Sequence, residues 1–344
     1  MYSRFPIWTW CAVQIEGVGK STNYPNGKRS SMDSPNIDIV LATYNGARYL
    51  GPQFESLLNQ KDVSFRILVR DDGSADETPA VIEHYKRSRP ECIVHLGGPD
   101  NLGVIGNFAY LLGEATAPYV ALCDQDDIWE PHKLRVLLKA MHGLEERHGT
   151  HTPLLVHSDL RVVDDELRER HSSYWRFAGV YPNRSSLPRL LLKNPLAGCA
   201  SLANQALVRL ALPIPRAALM HDYWLALVAS AAGYIGAVEE PLVIYRQHER
   251  NAIGARPYNW RAFVERIAGG FAHWSLSALR AQAAALSERC RGVVTAENRA
   301  LIDEFVDLPS RTWFGQRWFL LHHGIVMPGL LRNLVLFLCI RLGR

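Results

Sequence analysis

The sequence predicts an α/β fold in which a mostly parallel sheet is flanked by helices and followed by a helical C-terminal extension. Short apolar runs rich in β-branched residues alternate with segments whose apolar residues recur at helical spacing. Alternation of this kind builds a parallel sheet covered by helices. From Trp260 onward the chain is rich in Ala and Leu and nearly free of β-branched runs, which is typical of helices.

The first part of the chain repeats a unit of strand, turn and helix. Predicted strands cover 37–41, 65–69, 93–96 and 119–122, and predicted helices cover 49–58, 75–85 and 103–112. Polar side chains follow the strands at Asn45, Asp71, Asp72, Asn101 to Gly103, and Asp124 to Asp127. Because ligands bind beyond the carboxyl ends of parallel strands, we expect these side chains to converge on one crevice.

The segment Asp124-Gln125-Asp126-Asp127 concentrates three carboxylates directly after an apolar run. Like charges this close repel one another unless a cation lies among them. Mg²⁺ or Mn²⁺ would bind through one or two carboxylates and complete its shell with water and substrate phosphates, which indicates a nucleotide-linked substrate. The alternative is an acidic turn in which Asp126 or Asp127 caps the helix that follows near Glu130.

Two segments beyond residue 150 carry open alternatives. Leu154 to His157 predicts a further strand, and the small-residue run from Leu196 to Ser201 permits either close approach to a ligand or tight strand packing. A helix is predicted from Met220 to about Ala232, where Asp222 taken alone fits an N-cap.

A basic loop follows the predicted strand 243–245. It contains Arg246, His248 and Arg250, and either phosphate contact or a solvated basic turn explains such a loop.

Composition excludes several classes of protein. The net charge is only +4 and the 38 Lys and Arg residues are spread along the chain, so nucleic acid is not indicated as a partner. The six cysteines are far apart and form no C-x-x-C pair, which indicates neither a zinc site nor a disulfide framework. A reducing cytoplasm fits this pattern best.

The ends of the chain differ from its middle. Residues 1–35 lack the apolar core of a signal peptide and read as a disordered lead-in, 36–252 as the globular domain, and 253–344 as a helical region. Within 313–344, the run from Gly324 to Ile340 is apolar but interrupted by Pro328, Arg332 and Asn333, which makes it a poor bilayer span. An interfacial amphipathic segment and a core-packing helix are the two alternatives for it.

Six segments together resemble the family 2 glycosyltransferases of the GT-A fold, and specifically the bacterial branch that includes rhamnosyltransferases of O-antigen and cell-wall polysaccharide assembly. Any one of them is a weak signal, but six in the family's order are consistent with one another. The segments are 37–46, 70–74, 101–103, 123–129, 221–224 and 245–248.

The resemblance implies an inverting, metal-dependent transferase. It would move a sugar from dTDP-L-rhamnose or a UDP-hexose to a glycan acceptor, lipid-linked at the cytoplasmic face of the cell membrane, in surface polysaccharide synthesis. Asp222 would be the catalytic base, Asp126 would hold Mg²⁺ or Mn²⁺, and the loop with Arg246 and His248 would lie near the diphosphate. Nucleotide binding would fall to Thr43, Tyr44, Asn45, Asp72, Asn101, Gly103 and Asp124.

Within this set the resemblance gives individual roles to three residues. Tyr44 would lie near the base, Asp72 would accept a hydrogen bond from it, and Asp124 would lie near the ribose. Two other classes of protein are alternatives. A non-catalytic sugar-nucleotide or glycan-binding module has no need of a base such as Asp222. A nucleotidyltransferase would normally carry a glycine-rich loop after the first strand.

Overall fold

The computed structural model describes residues 35–98, 100–180, 185–248 and 276–325. The strands are β1 (Ile37–Thr43), β2 (Phe65–Asp71), β3 (Ile93–His95), β4 (Tyr119–Cys123), β5 (Ile128–Trp129), β6 (Leu154–Val163), β7 (Glu169–His171), β8 (Ser201–Asn204) and β9 (Tyr234–Arg246). The helices are α1 (Ala47–Leu58), α2 (Thr78–Ser88), α3 (Gly103–Glu114), α4 (Lys133–His148), α5 (Tyr174–Ala178), α6 (Leu187–Leu190), α7 (Gln205–Ala211), α8 (His221–Ala232), α9 (Leu276–Arg289), α10 (Ala296–Val306) and α11 (Trp313–His322).

One half of the sheet is parallel. Its strand order is β3-β2-β1-β4, and every neighbouring pair in this half runs in the same direction. The register pairs Thr43 with Asp71 and Leu41 with Cys123, so β1, β2 and β4 end at one edge of the sheet. The strand, turn and helix repeat therefore places its polar turns along one edge, as the sequence predicts.

The other half of the sheet is mixed. The order continues from β4 through β8, β6 and β9 to β5, with β7 paired to β6. β8 runs antiparallel to β4, and Ala121 pairs with Leu202, so β8 begins where β4 ends. β9 runs parallel to β6 and brings Arg246 opposite Val163. Both features add residues from the second half of the chain to the edge formed by the first half.

Helices cover both faces of the sheet, because strand side chains alternate between two hydrophobic cores. In β1, Ile39 and Leu41 point into a core shared with α1, α2 and α4, whereas Val40 points into a core shared with α3, α7 and α8. All three side chains are completely buried. The result is a three-layer α/β/α arrangement.

The C-terminal helices α9, α10 and α11 pack into the second of these cores. Leu286 and Phe305 are completely buried in the same cluster as Trp224 of α8. Polar contacts support the packing, since Asn298 donates through Nδ2 to the carbonyl oxygen of Ala231 at 2.9 Å. These helices are continuous with the core of the sheet domain and do not form a separate one.

Most predicted elements of the first half lie within a few residues of the observed ones. Within the described ranges no helix combines the length and apolar character needed to cross a bilayer. The predicted lead-in before Pro35, the start of the helical region at 253–275 and the tail beyond Ile325 lie outside the described residues.

Candidate active site

The turn after β1 is tied to the acidic loop after β4. The backbone N–H of Tyr44 donates to Oε1 of Gln125 at 2.9 Å, and Nε2 of Gln125 donates back to the carbonyl oxygen of Tyr44 at 3.0 Å. The Tyr44 ring is left 51% exposed at the rim of the edge. A Cβ on Gly46 would lie 2.1 Å from Oε1 of Gln125, so only glycine leaves room for this bridge.

Asn45 and Thr43 serve to shape this turn. Asn45 has a positive φ of 47°, its N–H donates to Oγ of Ser74 at 2.7 Å, and its Oδ1 accepts from the N–H of Ala75 at 2.8 Å. The hydroxyl of Thr43 donates to Oδ1 of Asp71 at 2.9 Å. These bonds lock the ends of β1 and β2 together and set the direction in which Tyr44 leaves the sheet.

Asp72 is buried at the end of β2 and joins the turn before α3. Its Oδ1 accepts from Nη1 of Arg70 and from the N–H of Leu102, both at 2.8 Å. Asn101 donates through Nδ2 to the Asp72 carbonyl at 2.8 Å and accepts from the N–H of Gly103 at 3.1 Å. Among the described residues only Oδ1 of the Asp72 carboxylate is hydrogen-bonded, which leaves Oδ2 as an acceptor for a ligand.

The acidic loop after β4 packs against the turn before β8. Ligand atoms of Asp124, Asp127 and Cys199 lie within 4.8 Å of one another. Oδ2 of Asp127 is buried without a hydrogen-bond partner in the described part of the chain. Burial, together with the charges of Asp126 and Asp222, raises the pKa of Asp124 to about 7, and burial raises that of Asp127 well above its usual range.

This donor set fits a divalent cation. Carboxylate oxygens are the ligands that Mg²⁺ and Mn²⁺ prefer, and a buried carboxylate oxygen without a partner is costly unless a positive charge reaches it. The thiol of Cys199 is a poor ligand for such hard ions. Asp124 and Asp127 therefore account for the fit, and Cys199 contributes mainly to packing.

Asp126, whose charge acts on both Asp124 and Asp127, also contacts Arg246 and His248 at and just beyond the end of β9. Its Oδ2 lies 2.9 Å from Nε2 of His248, and the His248 ring stacks on Tyr49 at 4.6 Å between centroids. Arg246 donates through Nε to the Asp126 carbonyl at 3.0 Å and through Nη1 to the Asp165 carbonyl at 2.7 Å. The basic loop predicted from sequence thus contacts the acidic loop directly, and Arg246 is not a solvated turn residue.

Asp222 lies in the first turn of α8, facing the same edge. Its Oδ1 accepts from the N–H of Tyr223 at 2.6 Å, and its Oδ2 accepts from the N–H of Gly198 at 3.1 Å. Burial raises its pKa to about 6, although these hydrogen bonds oppose the shift. A carboxylate in this state is basic enough to accept a proton near neutral pH.

The small-residue run of the sequence brings a turn against α8. Gly198, Cys199 and Ala200 form a single 3₁₀ turn before β8. A Cβ on Gly198 would lie 3.1 Å from Cβ of Asp222 and 3.4 Å from Nε2 of His221, which is tighter than an ordinary contact. Of the two alternatives for this run, the structure favours tight packing, and the packing partner is Asp222.

The capping alternatives for the acidic residues do not describe this structure. The N-cap of α4 is His132, so neither Asp126 nor Asp127 caps it, and the N-cap of α8 is Met220 with Asp222 inside the first turn. The carboxylates are therefore available to the edge of the sheet.

Several site residues are visible only in the folded chain. Lys133 is completely buried and hydrogen-bonds the carbonyl of Cys199. Gln125 bridges two loops, and Asp165 accepts from the hydroxyl of Tyr49 at 2.7 Å. The sequence does not predict that Lys133 is buried, because a lysine directly after Trp129-Glu130-Pro131-His132 is typical of an exposed first turn of a helix.

Comparison with known proteins gives a consistent result. Residues 38–150 match the profile of Glycosyl transferase family 2. The dTDP-rhamnosyl transferase RfbG of Shigella flexneri is 24% identical over 225 residues, which are 62% of this chain and 74% of that protein. An uncharacterized glycosyltransferase of Nostoc sp. is 35% identical over 103 residues, 30% of this chain and 32% of that one.

Among solved structures, S. aureus TarS in complex with UDP-GlcNAc superimposes with a TM-score of 0.53 at 14% identity, covering 79% of this chain and 70% of that chain. At this identity the likeness concerns the fold alone.

Proposed function

We propose that the chain, of which residues 38–150 match Glycosyl transferase family 2, is an inverting, metal-dependent enzyme acting at the cytoplasmic face of the cell membrane. It transfers a sugar from a nucleoside-diphosphate donor to a lipid-linked glycan acceptor in bacterial surface polysaccharide synthesis. Residues 36–252 form its transferase domain and 253–344 its helical C-terminal region.

One observation carries the proposal: a buried carboxylate of raised pKa faces an acidic loop across one edge of the sheet. The charge of Asp222 acts on Asp124, so the two carboxylates lie close to each other. Asp222 is the catalytic base, and it accepts the proton of the attacking acceptor hydroxyl. The Gly198 amide holds one of its oxygens, which fixes the direction from which the proton is taken.

The donor nucleotide occupies the turns after β1, β2 and β3. Tyr44 offers an exposed aromatic face to the base, and the second oxygen of Asp72 accepts a hydrogen bond from it. Asn45 and Thr43 hold the turn that presents Tyr44, and Asn101 and Gly103 hold the turn that closes on Asp72. Asp124 lies at the end of β4, next to these turns, and binds the ribose.

Asp126 would hold the divalent cation, Mg²⁺ or Mn²⁺, together with Asp124 and Asp127, whose buried oxygens fit such an ion. When bound, the cation would supply Lewis-acid stabilisation of the departing diphosphate. His248 and Arg246 contact Asp126 and orient its loop toward the diphosphate. Because one base and one leaving group suffice, the transfer is a single displacement that inverts the sugar carbon.

The name of the Shigella relative supports dTDP-L-rhamnose as the donor. A UDP-hexose is the second candidate, since a protein of the same fold was solved with UDP-GlcNAc. Both donors present a pyrimidine base and a diphosphate, which the turns and the acidic loop recognise alike. Release of dTDP or UDP by the purified enzyme, measured with each donor, separates the two.

Exposed aromatic residues on α11 support contact with the membrane. Trp313, Phe314, Trp318 and Leu321 are 54, 79, 58 and 59% exposed. At 3.6 residues per turn they fall within about 140° of the helix circumference, so they form one face, the α11 aromatic face. Tryptophan and phenylalanine on one side of a helix are typical of segments that lie in the membrane interface.

The test of the proposed function is Asp222→Asn. We expect donor hydrolysis and transfer to fall by about 10²–10⁴-fold, the usual contribution of a general base, with nucleotide binding retained. Glu297→Gln is the matched control, because Glu297 is also an acidic residue in the first turn of a helix but lies exposed on α10. Wild-type turnover in Asp222→Asn would contradict the assignment.

A further inference from the structure

Lys133, the first residue of α4, is completely buried. Lysine is almost never fully buried unless its ammonium is held by partners. Its Nζ donates to the carbonyl oxygen of Cys199 at 2.5 Å and lies 3.0 Å from the centroid of the Trp129 ring. The charges of Asp124 and Asp127 also act on it. This ammonium therefore joins the start of α4, the acidic loop and the turn before β8.

The same turn contacts the catalytic base. Cys199 is the middle residue of the turn, and the preceding residue, Gly198, donates its N–H to Oδ2 of Asp222. The hydroxyl of Ser201 donates to the Gly198 carbonyl at 2.7 Å, so the other end of the turn is held by β8. Any displacement of the Cys199 carbonyl changes the position of the Gly198 amide.

We propose that Lys133 is a positioning residue for the reaction: by holding the Cys199 carbonyl it holds the 198–200 turn, and through the Gly198 amide it orients Asp222 toward the acidic loop. The inference rests on the proposed function, because it specifies how the base of that reaction is oriented. Lys133 itself touches no reacting atom.

The position of Lys133 explains why a lysine is buried there, although burial lowers the pKa of its amine to about 7. Asp222 belongs to the acceptor side of the reaction, and the loop from Asp124 to Asp127 belongs to the donor side. The two come from segments about a hundred residues apart in sequence. Lys133 begins the helix that follows the acidic loop, and its Nζ contacts the turn next to Asp222. This one side chain therefore sets the distance between the acidic loop and Asp222.

The experiment compares Lys133→Met with wild type in donor hydrolysis, using dTDP-L-rhamnose or UDP-glucose with Mn²⁺ and water as the acceptor. Methionine keeps most of the side-chain volume and removes the donor. We expect kcat to fall about 100-fold, as for a misplaced catalytic group, while KM for the donor changes by less than about twofold. Lys139→Met, at an exposed position on the same helix, should behave as wild type.

A double-mutant cycle distinguishes positioning from general destabilisation. Gly198→Ala disturbs the same turn from the side of Asp222, so it should lower kcat with the same unchanged KM. If Lys133 acts through the turn, the double variant Lys133→Met/Gly198→Ala loses no more activity than the more damaged single variant. Should Lys133→Met fail to fold, Lys133→Leu takes its place, because leucine also fills the site with an apolar side chain that has no donor.

Three results would overturn the proposal: kcat of the Lys133→Met or Gly198→Ala enzyme equal to wild type, a loss confined to KM, or losses that multiply in the double variant. If the wild-type enzyme is active and Lys133→Met has the same kcat, this inference is wrong while the proposed function still stands. A wild type inactive with every donor contradicts the proposed function and removes the basis of this inference with it.

Discussion

At the scale of single residues, burial gives the carboxylates of this site their chemistry. Asp222 and Asp124 have the ordinary side chain of any aspartate, but loss of hydration raises their pKa values to about 6 and about 7. Their mutual charge adds to the shift of Asp124. A divalent cation relieves this repulsion, because it favours the ionised form of the carboxylates around it.

The raised pKa of Asp222 predicts how activity depends on pH. The base must be deprotonated to accept a proton, so kcat/KM for donor hydrolysis should rise with pH and level off above about 6. Below that pH it should fall by about tenfold per unit. The profile is measured with saturating Mn²⁺, so that binding of the cation does not limit the rate.

The same profile for Glu297→Gln serves as control, because an exposed carboxylate on α10 should leave the midpoint unchanged. A wild-type rate constant that stays flat between pH 4.5 and pH 7 would argue against a base with this pKa.

At the scale of elements, two short turns bring together segments that the sequence keeps apart. The turn after β1 is closed by Gln125 across Gly46, and the turn before β8 fits against α8 across Gly198. Both glycines lie where a side chain would meet another segment of the site. They matter for close approach, since neither has a positive φ.

The α11 aromatic face predicts membrane binding that depends on its exposed rings. Replacing Phe314 and Trp318 by serine should weaken binding to vesicles of anionic phospholipid by at least about tenfold, since each buried aromatic contributes about 1.5–3 kcal/mol. Binding is measured by co-flotation of the purified protein with the vesicles. Loss of binding with unchanged hydrolysis of a soluble donor would separate membrane contact from catalysis.

Val293→Ser is the matched control for this experiment. Val293 is 52% exposed but lies in the loop between α9 and α10, outside the α11 aromatic face. If the Phe314→Ser/Trp318→Ser protein binds the vesicles as strongly as Val293→Ser and wild type do, the α11 aromatic face does not bind lipid.

At the scale of the whole molecule, one cooperative structure supports the site. The C-terminal helices share a core with α8, whose first turn carries Asp222. Packing of Phe305 and Phe319 in that core therefore stabilises the helix that carries Asp222. Helices α1, α2 and α4 pack in the core on the other face of the sheet. A ligand that spans the edge contacts elements from both cores.

This arrangement predicts that nucleotide and cation stabilise the fold together. A ligand that binds only the folded chain at 100 times its Kd adds about 2.7 kcal/mol to the free energy of unfolding. We expect Tm to rise with dTDP or UDP in the presence of Mn²⁺ and to rise much less with either component alone. Thermal unfolding with dTDP, UDP, GDP and CDP, each with and without Mn²⁺, measures this.

Asp126→Asn should lose the dependence on Mn²⁺ while keeping the Tm of the unliganded protein within a few degrees. If Mn²⁺ and nucleotide raise the Tm of Asp126→Asn as much as they raise that of wild type, Asp126 is not the cation ligand. No rise with any nucleotide in wild type would contradict the proposed donor class.

Much of the first half of the fold follows from the sequence alone. The sequence predicts β1, β2, β4 and the helices between them. In this part of the chain apolar residues recur every two residues in strands and every 3.6 residues in helices, and polar turns separate the elements clearly. The short strands β5, β7 and β8 and the early part of β9 were not predicted, because strands of a few residues gain their stability from pairing with distant neighbours rather than from local pattern.

The sequence by itself determined which chemical groups this chain offers, since residue types and their order after each strand predict the acidic loop, the candidate base Asp222 and the resemblance to family 2 glycosyltransferases. Tertiary structure alone decided which of these groups meet. The pairing of Asp126 with His248, the fit of Gly198 against Asp222 and the contact of Lys133 with Cys199 join residues that are 122, 24 and 66 positions apart. Local pattern carries no information about such distances, because they are set by sheet order and by packing.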